Sequence, residues 1–399
     1  MAIDKMLEMH DLAKLDAGKY PHKRFLYDLM DSIEGRHFIG IVGPRGAGKT
    51  VLLRQYAREH PEAFYISADT LGPEEDLWES VRTLADHYGF KVFLIDEAHF
   101  LQDLPGLFKK MYDFLDIRLI FSSSVALAIR ESAYDLSRRV RLLTLPNFSF
   151  REYLALKQDI HLPSLSLGEL SRGEWEADHQ RASQFFDAYL LRGGNLPFSI
   201  EEPNPLPLLE NTVEKIIARD IPSVIKITLD ELDNLRRMLR FIGRSGVDGI
   251  NYSNLSRNLG ITKYKAEQYV DCLEKAFVLH RVWPDGTNVL REPKVLMSLP
   301  HRLLYLDHDN AIGGLREDFF VEMLWQAELD FRYLKSTRGA KTPDFIIKGK
   351  DERLVVEVGG KGKGREQFKG VEYDRKLVFA DVEIAKGDKI PLFLAGFLS

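Results

Sequence analysis

One stretch of eight residues, Gly43-Pro44-Arg45-Gly46-Ala47-Gly48-Lys49-Thr50, constrains this chain more than any other. It satisfies the spacing G-x-x-x-x-G-K-[ST], with an apolar run (Phe38–Val42) before it and a helical pattern (Thr50–Glu59) after it. That is the strand–loop–helix context in which the spacing binds phosphate. Glycines let the backbone curl until successive N–H groups point inward at phosphate oxygens, and the helix N-terminus adds partial positive charge. Lys49 is placed to reach the β- and γ-phosphates of a nucleotide, and the Thr50 hydroxyl to join a Mg2+ shell. The expected nucleotide-binding set runs from Gly43 through Val51, and the expected cofactors are ATP and Mg2+.

A second motif fits the first. Val92-Phe93-Leu94-Ile95 is apolar enough to cross a core, and Asp96-Glu97 then emerges at its C-terminal end, where α/β proteins bind ligands. Adjacent carboxylates repel unless a cation lies beside them. Asp96 is therefore expected to hold Mg2+ through its hydration shell, and Glu97 to orient and polarise the attacking water. The run Arg118–Phe121 ends in Ser122-Ser123-Ser124. A hydroxyl from Ser122 or Ser123 at that strand end can bond the γ-phosphate or the water, and Ser123 is carried forward as a catalytic candidate with Lys49 and Glu97.

Apolar runs at His37–Val42, Ala63–Ser67, Lys91–Ile95, Leu119–Phe121 and Arg141–Leu145 alternate with helix-length spacers. This is the pattern of βαβ units in an α/β fold with a parallel sheet. The runs are mostly apolar, as in strands covered on both faces. With 399 residues the chain has room for two to four domains, at about 100–200 residues each. The balance of 55 Lys+Arg against 60 Asp+Glu excludes a protein held to nucleic acid by its overall charge. A single cysteine, Cys272, excludes a disulfide framework or an all-cysteine metal site. No run approaches about 18 apolar residues, and Met1-Ala2-Ile3-Asp4-Lys5 leads into charged sequence. Neither a membrane span nor a secretory leader is expected, and the cytoplasm is the expected address.

After Pro146 the texture changes. Phe148–Gln158 and Glu174–Arg192 read as helices, Gly193-Gly194-Asn195-Leu196-Pro197 breaks the chain, and Pro203, Pro205 and Pro207 mark a connector. Helical texture then runs from Glu210 to about Phe277. Within it, Asn254–Leu259, Gly260 and a helix from Lys263 to Ala276 have helix–turn–helix spacing, with Ser253 and Thr262 as caps. Val278–Trp283 and Pro284-Asp285-Gly286 add a wing. Thr262-Lys263-Tyr264-Lys265 can touch phosphates and base edges, whereas Glu267, Asp271 and Glu274 on the same helix suit a lid or a protein-docking module. Further strands are expected at Leu303–Leu306, Asp344–Ile347, Arg353–Val358 and Leu377–Ala380, with a helix at Leu315–Glu328. Between Phe331 and Gly370 there are eleven Lys/Arg against five Asp/Glu, which suits either a nucleic-acid backbone or a solvated loop.

The phosphate loop, the apolar strand ending in Asp-Glu and the polar strand end together resemble the AAA+ ATPases and their STAND-type relatives. Asp135-Leu136-Ser137-Arg138-Arg139-Val140 and Leu145-Pro146-Asn147-Phe148-Ser149-Phe150-Arg151-Glu152-Tyr153 sharpen the likeness. They are similar to a prokaryotic subgroup in which an AAA-type domain is joined to a restriction-endonuclease-like one, with Arg138 here where glycine is usual. The resemblance implies that the phosphate-loop strand lies beside the polar-ended strand. It implies a homo-oligomer, a ring being one form, and an arginine finger at Arg139 or Arg138 acting across a subunit interface. It places Gly193–Pro197 near the nucleotide, although an ordinary helix terminator reads the same way. Glu317, Pro343-Asp344 and Glu357 resemble the carboxylates of the PD-(D/E)xK nuclease core. Gly359 stands in the lysine slot, with Lys361 or Lys363 as relocated substitutes, so an inactive nuclease fold is expected over an active one. The resulting division is an ATPase domain at 1–147, a helical lid at 148–230, a winged helix at 231–286 and a nuclease-like domain at 287–399. The expected function is ATP hydrolysis coupled to DNA binding or remodelling. Its rivals are a nucleotide switch acting on protein partners and an ATP-regulated nuclease.

Overall fold

Five parallel strands organise the first part of the chain: β1 (Phe38–Val42), β2 (Ala63–Ser67), β3 (Val92–Asp96), β4 (Arg118–Ser123) and β5 (Val140–Thr144), in the order β2-β3-β4-β1-β5. The computed structural model describes residues 3–72, 75–124, 138–223, 225–286, 292–334, 342–348, 353–360, 362, 368 and 373–398. Helices α1 (Ile3–Ala17), α2 (Leu26–Ser32), α3 (Lys49–Glu59), α4 (Leu77–Tyr88) and α5 (Leu104–Phe114) accompany the strands. Every residue of β1 and β3 is buried, which explains their unbroken apolar runs: a strand covered by helices on both faces has no wet side. α4 shows how local signals set the boundaries. The Asp76 carboxylate accepts from the N–H groups of Trp78 and Glu79 at its start, and Gly89, at φ 78°, ends it. β1 pairs with β4 on one side and β5 on the other, so the phosphate-loop strand does lie beside the strand that ends in serines.

The chain divides into two units, Met1–Asn147 with Ala218–Lys226, and Phe148–Ile217 with Ile227–Ser399. The second unit begins with α6 (Phe150–Gln158), α7 (Leu167–Arg172), α8 (Ala177–Arg181), α9 (Phe186–Leu191) and α10 (Leu206–Lys215). It continues with α11 (Leu229–Arg244), α12 (Tyr252–Leu259), α13 (Lys263–Lys275) and the antiparallel pair β6 (Leu279–Val282) and β7 (Lys294–Met297). It ends with α14 (His308–Gln326) and a sheet of β8 (Phe331–Tyr333), β9 (Phe345–Lys348), β10 (Arg353–Gly359), β11 (Arg375–Ala380) and β12 (Lys389–Pro391), in the order β12-β11-β10-β9-β8.

The helices expected to form a lid share a core with this C-terminal region. Phe150 and Tyr189 pack with Phe319, Phe393 and Phe397. A Cβ at Gly396 would lie 2.4 Å from that of Phe150, so the backbone passes only as glycine. Several expected elements change shape. Glu174–Arg192 is not one helix but α8, a 3-10 turn (Ala182–Phe185) and α9. The strand expected at Leu303–Leu306 is a 3-10 turn, His301–Leu304, since a short apolar run does not by itself distinguish strand from helix. Asn251, not Ser253, caps α12, and Ser253 bonds Glu292. Among the described residues no helix is long and apolar enough to cross a membrane.

Candidate active site

Gly43 opens the phosphate loop at the end of β1. A Cβ there would lie 2.0 Å from the Leu145 carbonyl oxygen, so only glycine fits. Gly46 and Gly48 have φ of 84° and 92°, values that β-carbons disfavour. Gly48 caps α3 without a side chain, leaving the first N–H groups of the helix to an anion. Arg45 lies between Pro44 and Gly46 at the loop's tip, and Ala47 is buried. Lys49 is buried too, and its ammonium donates to the Gly43 and Pro44 carbonyls at 2.8 Å each. Burial pushes its pKa down to about 8, against the opposing pull of Glu97 and Asp96. Thr50 and Val51 follow in the first turn of α3.

Asp96, at the end of β3, is buried and gripped at both oxygens. The Tyr65 hydroxyl donates to Oδ2 at 2.8 Å, and the Ser122 hydroxyl donates to Oδ1. Ser122 Oγ in turn accepts from the Glu97 N–H at 3.0 Å. Glu97 sits at φ 52°, an uncommon conformation for a residue with a side chain and one that concentrates at functional sites. Its Oε2 accepts from the Ser124 hydroxyl at 3.3 Å and lies 3.3 Å from His99 Nδ1. Burial raises the Glu97 carboxyl above its ordinary range, with the Lys49 charge opposing. Burial also lowers His99 to about 4, so the imidazole is neutral at pH 7. Of the two serines singled out by sequence, it is Ser122 that touches Asp96; Ser123 Oγ lies 3.4 Å from His99 Nδ1.

Three further side chains join the site without a signal in the sequence. The buried Arg24 guanidinium donates to the Ala47 carbonyl and, at 2.7 Å, to that of Pro146. The Asp220 carboxylate meets Arg45 Nη1 at 3.1 and 3.0 Å. The Arg219 guanidinium stands 4.9 Å from the Phe100 ring centroid. Their partners are 23 and 175 residues away in the chain for Arg24–Ala47 and Arg45–Asp220, a separation no local pattern reports.

One further candidate of the same unit lies apart from the loop. Arg139 precedes β5, whose first residue pairs with Phe38, so it stands at the opposite end of the sheet from Gly43. It donates to Asp113 at 3.1–3.2 Å. Asp135-Leu136-Ser137, which carried part of the family likeness, lie outside the described residues. The Gly193–Pro197 turn is built into the second unit: Asn195 O accepts from Phe148 N–H at 2.8 Å, and Asn195 Nδ2 donates to Leu299 O at 2.9 Å. In the same unit Lys294 Nζ is 2.7 Å from Glu317 Oε2 and 3.2 Å from Asp248 Oδ1. Asp344 Oδ2 accepts from Val358 N–H at 2.8 Å. Its carboxyl is raised to about 8, first by burial and then by the charges of Glu317 and Glu357. Glu317, Asp344 and Glu357 thus gather near a lysine from β7, which sequence reasoning missed because it looked downstream. Lys361 and Lys363 lie outside the described residues.

The family model described as AAA domain matches residues 35–154, and a domain of unknown function (DUF8612) matches residues 183–298. An uncharacterized protein of Methanocaldococcus jannaschii is 27% identical over 424 aligned positions, covering 94% of this chain and 89% of its own. Among solved structures, the Walker-type ATPase of Pyrococcus abyssi shares 16% identity over 68% of this chain and 90% of that one, at a TM-score of 0.40. Hsp104 of S. cerevisiae, in its casein complex, shares 16% over 66% and 52%, at a TM-score of 0.33. Residues 35–154 are thus similar to the AAA domain family, and the same stretch carries the phosphate loop, the acidic strand end and the five-stranded parallel sheet of a P-loop nucleotide-binding fold.

Proposed function

We propose that the chain hydrolyses ATP at the C-terminal edge of its parallel sheet. The observation that carries this reading is a buried lysine under the phosphate loop whose charge bears on two carboxylates, Asp96 and Glu97, at the neighbouring strand end. The Thr50 hydroxyl and the Asp96 carboxylate are oxygen donors that suit a hard divalent cation. A Mg2+ held by these two residues would neutralise charge on the nucleotide phosphates. Loop N–H groups and Lys49 hold the phosphates, Tyr65 and Ser122 fix the Asp96 carboxylate, and Arg24 braces the loop. Glu97 orients the attacking water and accepts its proton, steadied by Ser124 and the neutral His99. Arg139 serves as a finger toward a neighbouring copy, for which it must leave Asp113. Lys49→Ala should weaken binding of fluorescently labelled ADP about 10- to 100-fold, the loss of a charge-assisted hydrogen bond. Unchanged affinity would contradict the site.

For the partner, α11–α13 followed by β6–β7 has the order of a winged helix, and we read it so. The DNA reading rests on the basic excess between Phe331 and Gly370. The start of α13 favours a protein partner instead. Lys263 is paired with Glu292 and Lys265 with Glu231, Arg281 is tied to Asp271 and Glu274, and Tyr264 is 67% exposed. Cations already neutralised by carboxylates gain less from phosphate. If DNA is the partner, duplex DNA should raise the ATPase rate at low salt, and the stimulation should fade as salt rises. No stimulation and no salt-sensitive binding would leave the protein-acting switch. The nuclease-like core we read as inert, with the Lys294 ammonium neutralising its carboxylates.

A further inference from the structure

The ion pair between Arg45 and Asp220 has no part in the chemistry above. Arg45 belongs to the phosphate loop, and Asp220 is 1% exposed at the end of a π-helical turn, Ile216–Asp220. Ile221, the next residue, is also 1% exposed. Arg219, beside Asp220, lies over Phe100 in the turn that follows Glu97. One short segment therefore touches both halves of the nucleotide site, the loop through Asp220 and the turn after the acidic strand end through Arg219. Residues 218–226 pack with the ATPase unit, although the chain on either side of them belongs to the second unit. The loop gathers positive partial charge for an anion. A buried carboxylate there opposes that anion and engages a guanidinium that phosphate oxygens would otherwise attract, and like charges oppose each other far more strongly in a desolvated site than in water.

We propose that Asp220 is a nucleotide-sensing latch, a positioning residue that acts through Arg45. Phosphates entering the loop compete for Arg45, repel the Asp220 carboxylate and unseat residues 218–226, ATP more than ADP because it carries more charge. Since the segment continues covalently into the second unit at both ends, its release passes the nucleotide state along the backbone. The inference rests on the ATP-site reading.

The test titrates fluorescently labelled ATP and ADP into the full chain and into Asp220→Asn, which keeps the shape and removes the charge. It also follows hydrogen exchange of residues 216–226. The variant should bind ATP about tenfold tighter, a typical coupling between sites, and gain less for ADP. ATP should raise exchange of the segment in the wild type, whereas in Asp220→Asn exchange should already be high. Asp220→Glu, which restores the charge, should return the ATP-over-ADP preference toward that of the wild type. Unchanged affinities, or equal weakening of both nucleotides with exchange indifferent to ATP, would overturn the latch and leave the ATP site standing. A wild-type chain that binds neither nucleotide would overturn both.

Discussion

Glu97→Gln should keep ATP in place and stop its hydrolysis. Glutamine preserves the volume and the oxygen that accepts from Ser124, but it does not take up a proton from water. Losing a positioned general base lowers turnover by about 100- to 10,000-fold. Binding should hold or tighten, because the lost negative charge stood close to where phosphate charge gathers. The measurement is phosphate release under saturating ATP beside equilibrium binding of the labelled nucleotide. A fall in both together would mean that the change disturbed the φ 52° turn. Normal turnover would mean that another group handles the water.

Asp318→Ala should be the most damaging single change to the second unit. Asp318 and Arg302 are 0% and 2% exposed, and Arg302 donates to the carboxylate at 2.6 and 3.1 Å. The same guanidinium reaches the carbonyls of Gly243 and Ser245 at 3.2 and 3.0 Å, and Asp318 also accepts from Met297 N–H at 3.3 Å. The pair thus ties the end of α11 and the hairpin strand β7 to α14. Gly314 makes room for it, since a Cβ there would lie 2.5 Å from Arg302 Nε. Removing one partner strands a buried charge, at about 3–5 kcal/mol. Urea unfolding followed by tryptophan fluorescence reads this unit well: Trp175, Trp283 and Trp325 lie in it and only Trp78 in the other. The double variant Arg302→Met/Asp318→Leu should lose less than Asp318→Ala alone. A loss below about 1 kcal/mol for Asp318→Ala, the range of an exposed pair, would refute the buried-clamp assignment.

The ATPase sheet was legible because its signals are local. Glycines with positive φ, a five-residue apolar strand and an Asp cap each report on neighbours a few residues away, and β1 to β5 lie within about a residue or two of their expected runs. The helices after Pro146 were harder. Their apolar residues read as a lid, yet Phe150 and Tyr189 found partners at Phe319 and Phe397, contacts that close over more than a hundred residues and leave no periodic trace. The same holds at the site. Lys49, Asp96 and Glu97 announce themselves by spacing, whereas Arg24, Asp220 and Lys294 are ordinary charged residues until the fold buries them. Ser122 and Ser123 show a finer limit. Strand alternation puts one hydroxyl on each face, and only the register of β4 against its neighbours decides which faces Asp96.

Phosphate release from ATP by the purified full chain, measured with Mg2+ and beside Lys49→Ala, bears most directly on the assignment. A P-loop ATPase releases phosphate in the wild type, needs the cation, and loses the activity with the lysine. No release, or equal release from both proteins, would contradict it.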